Sequence, residues 1–178
     1  GVDLACVQWV NHETGTILPV EAYARECGAA GTRLFVDATA ALGKLPIDVT
    51  ALGATAVAFA SSKIGGPPGA GALWIDRDAD LTPRRLGGGQ ERGRRAGSPD
   101  PVALAGLGFA ATLLPERLAQ MPDVALRRDR LEQHLAAHGG VNGASGPRVA
   151  TVTNVSMRGW LGPRLAAALD VEGLHASA

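Results

Sequence analysis

The sequence predicts an α/β protein: a mainly parallel sheet in a large domain, followed by the start of a small α+β C-terminal domain. Three observations predict it. Up to Asp100, short apolar runs alternate with helical stretches, the order a parallel sheet requires. The turn "GGPPGAG" separates two apolar runs too closely for a crossover, so the second run pairs antiparallel with the first. After Asp100 the texture changes to helical segments with one apolar run among them.

Each element has its own signal. "DLACVQWV" is apolar without helical periodicity and reads as a buried strand. "LPVEAYARECGAAG" is a helix, with Pro19 suited to its first turn and Gly28 or Gly31 to its end. "RLFVDA" is a second strand, "IDVTALGA" a short helix or turn, "TAVAFAS" a third strand and "GAGALWID" the antiparallel one. "PVALAGLGFAATLLPERLAQ" is a helix interrupted near Pro115. "VALRRDRLEQHLAAHG" is amphipathic, with charges on one face and leucines on the other. "VATVTNVSM" is a strand, "GPRLAAALDVEG" a helix, and "LHASA" a loop or strand-like end. The boundary falls between Leu114 and Pro122, giving residues 1–116 to the large domain and 117–178 to the smaller one. Both ends are abrupt, as expected for a piece of a longer protein.

Composition narrows the function classes. With 46% hydrophobic residues, the 178-residue chain can bury a sizeable core. Lys+Arg and Asp+Glu balance at 17 each, so no net charge attracts nucleic acid. The densest basic stretch, Glu91 to Arg95, is short and glycine-rich. No apolar run reaches the length of a membrane span, and "GVDLACVQWV" lacks the marks of a signal peptide. Cys6 and Cys27 form neither a disulfide framework nor a metal motif, and Cys6 reads as a small core residue. A reducing, cytoplasmic setting is the simplest reading. His134 and His138 are spaced for a metal pair on one helix, but no acid or cysteine joins them, and no metal site is expected. Trp9, Trp74 and Trp160 read as packing residues.

In open α/β sheets, ligands sit beyond the carboxyl ends of the strands. The first strand ends in Asn11, His12 and Glu13, the second in Asp37, Ala38 and Thr39, the third in Ser61, Ser62 and Lys63. An amine at a partly desolvated strand end is a good Schiff-base former. Pyridoxal phosphate (PLP) needs such a lysine, a carboxylate against its pyridine nitrogen, and donors around its phosphate. Lys63, Asp37 and Ser62 fill those roles. Taken singly, Lys63 reads as a solvated strand-end lysine and Asp37 as a cap or turn residue. Their joint placement favours PLP. "GGPPGAG" lacks the ending of a P-loop and the spacing of a dinucleotide turn, and reads as a turn that keeps the backbone close to the lysine.

Four segments, "VNHETGTILPV", "FVDATAALGKLPIDV", "FASSKIGGPPGAGALWI" and "GGGQERGRRAGSPD", resemble in order the class V aminotransferase-fold enzymes of the cysteine desulfurase group. "TNVSM" near Asn154 is similar to the small domain of that family. The resemblance implies fold type I, with residues 1–116 as the C-terminal part of a PLP-binding large domain and 117–178 as part of the small one. It implies Lys63 as the Schiff-base lysine and Asp37 as the partner of the pyridinium nitrogen. Ser62 stands where the family often has a histidine at the phosphate, and Ala60 where a phosphate-binding hydroxyl is common, with Ser61 a candidate to compensate. Ala40 replaces a glutamine that bonds the cofactor's phenolic oxygen, and His12 an asparagine with a similar task. "GGGQERGRRAGSPD" resembles a loop that reaches the partner subunit's active site in family homodimers. Ser98 there matches a hydroxyl on the neighbour's cofactor phosphate, and Arg92 and Arg95 order the loop or face an anion.

The implied function is removal of sulfur from L-cysteine to give alanine and an enzyme persulfide, with a sulfur-acceptor protein among the partners and no role for nucleic acid or membrane. The resemblance puts the sulfur-accepting cysteine beyond Ala178, the substrate-carboxylate arginine farther on, and a group stacked on the cofactor upstream of Gly1. The fragment alone is therefore expected to be inactive. Substitutions at 12, 40 and 62 keep two alternatives open: another class V reaction, such as selenocysteine lyase or transamination, and a non-catalytic piece of the same fold.

Overall fold

The computed structural model describes residues 1–178, which form two compact units. The first comprises Gly1–Val10 and Leu18–Ala119, the second Asn11–Ile17 and Gln120–Ala178. The second therefore owns a short strap, Asn11–Ile17, that interrupts the first in sequence.

The first unit is built on strands β1 (Leu4–Gln8), β2 (Arg33–Asp37), β3 (Ala56–Ala60) and β4 (Gly71–Ile75), arranged in that order. β1, β2 and β3 run parallel, and β4 returns antiparallel along β3 with Ala60 opposite Gly71. The tight turn thus has the effect its composition predicts. Gly71 is needed there because a Cβ would stand 2.8 Å from the Phe59 carbonyl oxygen. Helix α1 (Val20–Ala30) fills the first crossover, buries Val20 and Ala24, and ends at Gly31 in the left-handed region, φ 67°. The core gathers Leu34, Val36, Val57 and Ile64 with Trp9 and Val10.

Two expectations about packing need correction. β1 is not a buried strand: Leu4, Cys6 and Gln8 are exposed on one face of the sheet, and Ala5 and Val7 are half-buried on the other. Cys6 is accordingly not a core residue. Trp9 is buried and Trp74 half-buried, but Trp160 is exposed and does not pack.

Beyond β4, a small hairpin pairs β5 (Gly89–Gln90) with β6 (Arg95–Ala96). Helix α2 (Pro101–Thr112) starts where Asp100 caps it, its carboxylate accepting from the amides of Val102 and Ala103 at 2.9 and 3.0 Å. The short helix α3 (Leu114–Ala119) follows, with the break just ahead of Pro115 that the sequence predicts.

The second unit contains α4 (Met121–Leu135), the hairpin β7 (Gly139–Val141) with β8 (Val155–Met157), and α5 (Gly162–Val171). α4 forms as its periodicity predicts, yet Leu126 and Leu131 are exposed and none of its residues is fully buried. It is tied down through Arg128 and Glu132 instead. Of "VATVTNVSM" only the last three residues pair as a strand; 149–154 is irregular and anchored by the buried Val149. Its partner β7 was hidden by its glycines, which weaken a strand pattern. Gly139 has to be bare because the Ser156 carbonyl fills the space a Cβ would occupy.

Candidate active site

Asp37 closes β2, the strand with parallel neighbours on both sides. It pairs with Gln8 in one direction and Ala58 in the other. Its carbonyl accepts the Trp9 amide at 2.9 Å, and the Ala38 amide donates to the Ala58 carbonyl at 3.0 Å. Both flanks of the backbone are therefore fixed where the side chain emerges. The Asp37 side chain is exposed, and its Oδ1 accepts the Thr39 amide at 2.9 Å, which orients the carboxylate and leaves Oδ2 open.

Lys63 lies just beyond β3, on the 3-10 turn Ser61–Ile64. The turn is pinned at each end: the Ser61 amide donates to the Ala70 carbonyl at 3.1 Å, and the Gly66 amide to the Ser61 carbonyl at 3.0 Å. Ile64 is buried beneath it, and Gly65 closes it at φ 77°. Helix α2 is the platform: a Cβ on Gly106 would come within 2.6 Å of Pro67, so the helix backbone presses directly on this loop. The adjacent parallel strands β2 and β3 thus deliver an exposed carboxylate and an exposed amine at the same edge of the sheet.

The two serines before Lys63 part company. Ser62 is exposed. Ser61 is fully buried, its Oγ turned against Gly66 and without a hydrogen-bond partner. The expectation that Ser61 makes up for Ala60 at a phosphate is corrected: the 3-10 turn puts Ser61 and Ile64, three residues apart, on its inner side and leaves Ser62 and Lys63 exposed. Ser98, after β6, is exposed. His12 belongs to the strap of the second unit; its ring is exposed, with Nε2 3.2 Å from Glu13 Oε1.

Two further cations lie beside Lys63 without belonging to any motif. Lys44 is half-buried, and burial, followed by the charge of Lys63, holds its ammonium below the usual lysine range. Its turn packs on that of Lys63, a Cβ on Gly43 standing 3.5 Å from Ile64 Cγ2. Arg117 of α3 lies over the same ground, its Nη2 3.0 Å from where a Gly65 Cβ would be. "LGKLP" carries a visible lysine, but nothing in its spacing announces that neighbour, and Arg117 has no local signal at all. Lys44 and Lys63 are the two lysines of the chain, and only Lys63 is exposed.

A cleft of about 430 Å³ lined by Thr50, Trp74, Asp76, Arg77, Arg92 and Arg94 lies elsewhere. β4 is antiparallel to β3, with Ile75 opposite Ala56, so this cleft sits at the opposite edge of the sheet from Lys63.

The donor set fits PLP in two of its needs: an exposed amine and an exposed, backbone-oriented carboxylate on neighbouring strand ends. At the phosphate the fit is thinner, resting on Ser62 and the backbone amides of the glycine turn, since Ser61 is withdrawn.

Comparison with known proteins points the same way. The model of the family described as aminotransferase class V matches residues 1–178. An IscS-like cysteine desulfurase of Mycobacterium tuberculosis is 38% identical over 181 residues, covering 99% of this chain and 46% of the relative. The chain thus spans about half the length of the curated relatives it matches. Among solved structures, a NifS-like protein from Rickettsia africae superposes with a TM-score of 0.93 at 22% identity, a likeness of fold, over 98% of this chain and 49% of that one. A structure described as SspA in complex with cysteine gives 0.74 at 27% identity, over 95% and 47%.

Proposed function

We propose, from the premise that the chain belongs to the class V aminotransferase family, that the whole protein is a PLP-dependent enzyme removing sulfur from L-cysteine. The products are alanine and an enzyme persulfide. The observation that carries this reading is the pair of exposed groups, Asp37 and Lys63, at the carboxyl ends of adjacent parallel strands.

PLP, when bound, supplies an electron sink for bonds breaking at the amino acid's carbons. The chain's own residues do the rest. Lys63 would be the covalent anchor, and its Nζ would take a proton from the substrate and return it. The pinned 3-10 turn limits how far that amine can wander. Asp37, held by the Thr39 amide, keeps a proton on the ring nitrogen through its open Oδ2. Ser62 and the amides of the glycine turn bind the phosphate, Ser98 binds that of a partner subunit in a homodimer, and His12 contacts the cofactor in place of an asparagine. The persulfide forms on a cysteine outside this chain: Cys6 sits on the edge strand β1 and Cys27 in α1, and neither lies at a strand's carboxyl end. A sulfur-acceptor protein and a cytoplasmic setting complete the reading.

Ala40, Ser62 and His12 favour a second reading, another class V reaction such as selenocysteine cleavage or transamination, because each alters a contact that tunes the cofactor. The test is absorbance of the full-length protein with PLP, for the native sequence and for Lys63→Ala. A visible band that disappears in the variant supports the cofactor assignment, and no band in the native protein overturns it. Sulfide release from cysteine, compared with selenide release from selenocysteine and with amino-group transfer, then separates the two reactions.

A further inference from the structure

We propose that Glu132 and Arg148 are positioning residues: together they hold the Asn11–Ile17 strap, and with it His12, in a single arrangement. The task of His12 rests on the cofactor-binding reading above; the clasp itself stands on the geometry of the second unit.

The strap is a loop that needs outside support. It leaves the first unit after Val10 and rejoins it at Leu18, whose amide donates to the Trp9 carbonyl at 2.8 Å. Inside it, Asn11 Oδ1 accepts the amides of Glu13 and Thr14, each at 3.0 Å, and shapes the tip that carries His12. Its outward bonds go to one segment, 147–154. Ile17 N donates to the Pro147 carbonyl at 2.8 Å, Val149 N to the Gly15 carbonyl at 2.9 Å, and Asn154 Nδ2 to the Glu13 carbonyl at 3.2 Å. Gly15, at φ 73°, lies so close to Val152 that a Cβ would stand 2.8 Å from its Cβ.

That segment has no sheet ladder to define it until β8 begins at Val155. Besides a lone bridge from Arg148 to Thr16 and the bonds of Asn154 to Asn142, it is held by side chains reaching from α4. Arg148 sets both terminal nitrogens on the two oxygens of Glu132, at 2.7 Å each. Thr153 Oγ1 donates to the same carboxylate at 2.5 Å, and Arg128 Nη1 to the Val149 carbonyl at 2.9 Å. One carboxylate therefore grips the segment at residues 148 and 153, within the part that touches the strap. The Arg148 and Glu132 side chains are only 8% and 13% exposed, so the fork is shielded from water and salt. Such a bidentate pair fixes geometry as well as distance.

The test uses the full-length protein free of PLP, with Glu132→Gln, which keeps the shape and removes the charge, and Arg148→Lys, which keeps the charge and removes the fork. Amide exchange at Gly15, Ile17 and Val149 is expected to accelerate about tenfold or more in both variants, while amides of Leu34 and Ala38 stay protected. The His12 ring resonance is expected to be single in the native protein and to shift or split in the variants, a response that loss of stability alone does not produce. Unchanged strap exchange, or faster exchange with an unmoved His12 signal, overturns the proposal. If Glu132→Gln exposes Leu34 and Ala38 as well, Arg148→Lys decides. With PLP bound, Glu132→Gln is expected to speed cofactor release, and that effect should vanish in a His12→Ala background. An equal effect in that background overturns the link to His12. Failure of the native protein to bind PLP removes the cofactor reading and leaves the exchange and resonance results to judge the clasp.

Discussion

Replacing Gly66 by alanine puts a methyl group where Ser61 Oγ already is, 3.3 Å from the Ser61 carbonyl oxygen and 3.4 Å from Ala110 Cβ. The φ of Gly66 lies outside the left-handed region, so the cost is steric. Overpacking of this kind costs about 1–3 kcal/mol. The hydroxyl has nowhere to retreat, being fully buried, and it has no hydrogen bond to lose. Ser61→Ala alone should therefore stabilise by about 1 kcal/mol, the penalty of a buried, unsatisfied hydroxyl. In the Ser61→Ala background the nearest obstacle to Gly66→Ala is gone. The two substitutions should couple favourably by roughly 1–2 kcal/mol. Urea unfolding of the four full-length proteins, without PLP so that ligand binding does not shift the midpoints, measures this cycle. An equal cost of Gly66→Ala in both backgrounds would refute the inward placement of Ser61, and so would a Ser61→Ala protein less stable than the native one.

Further outcomes follow from other contacts. On the proposed cofactor reading, Asp37→Asn would remove the charge that faces the ring nitrogen; a charge-assisted bond of about 1.5–3 kcal/mol predicts roughly 10- to 100-fold weaker PLP retention, read by equilibrium dialysis. Asp100→Ala deletes the cap of α2 and should cost about 1 kcal/mol by thermal unfolding, with α2 still formed. The Arg148 hydrogen bonds hold the Glu132 carboxyl below the usual glutamate range, against an opposing contribution from burial. A depressed folded value stabilises above the ordinary value of 4.5 and loses that contribution as pH falls through the lowered one. Strap amides should then exchange faster, relative to β2 and β3, as the pH drops below about 4.5, and Glu132→Gln should abolish that dependence.

The parts of the fold legible in the sequence were those set by local chemistry. Apolar runs of strand length, Gly31 in a left-handed helix end, Pro115 at a helix break and a seven-residue glycine–proline turn each act within a few residues of themselves. Asp37 and Lys63 were legible for a related reason: a polar group ending an apolar run marks the end of a strand, and parallel strands present those ends together. What was not legible depends on partners distant in the chain. "DLACVQWV" reads the same whether one or both faces of its strand are covered, and only the packing of the folded chain leaves Cys6 on the open face. Ser61 and Ser62 are chemically identical, and the 3-10 turn alone decides which faces inward. Glu132 and Arg148 lie on a helix and in an irregular segment, sixteen residues apart, where no spacing rule looks for a pair. The strap 11–17 has no composition shift to separate it from β1 and α1, because its allegiance to residues 120–178 is written in bonds to Pro147, Val149 and Asn154.

The central claim concerns one nitrogen atom. Borohydride reduction of the PLP-loaded full-length protein, followed by peptide mass analysis, fixes the cofactor to whichever amine holds it. The account predicts a reduced pyridoxyl group on Lys63, with the half-buried Lys44 unlabelled. Label on Lys44 or on a lysine outside this chain, with Lys63 bare, would contradict it.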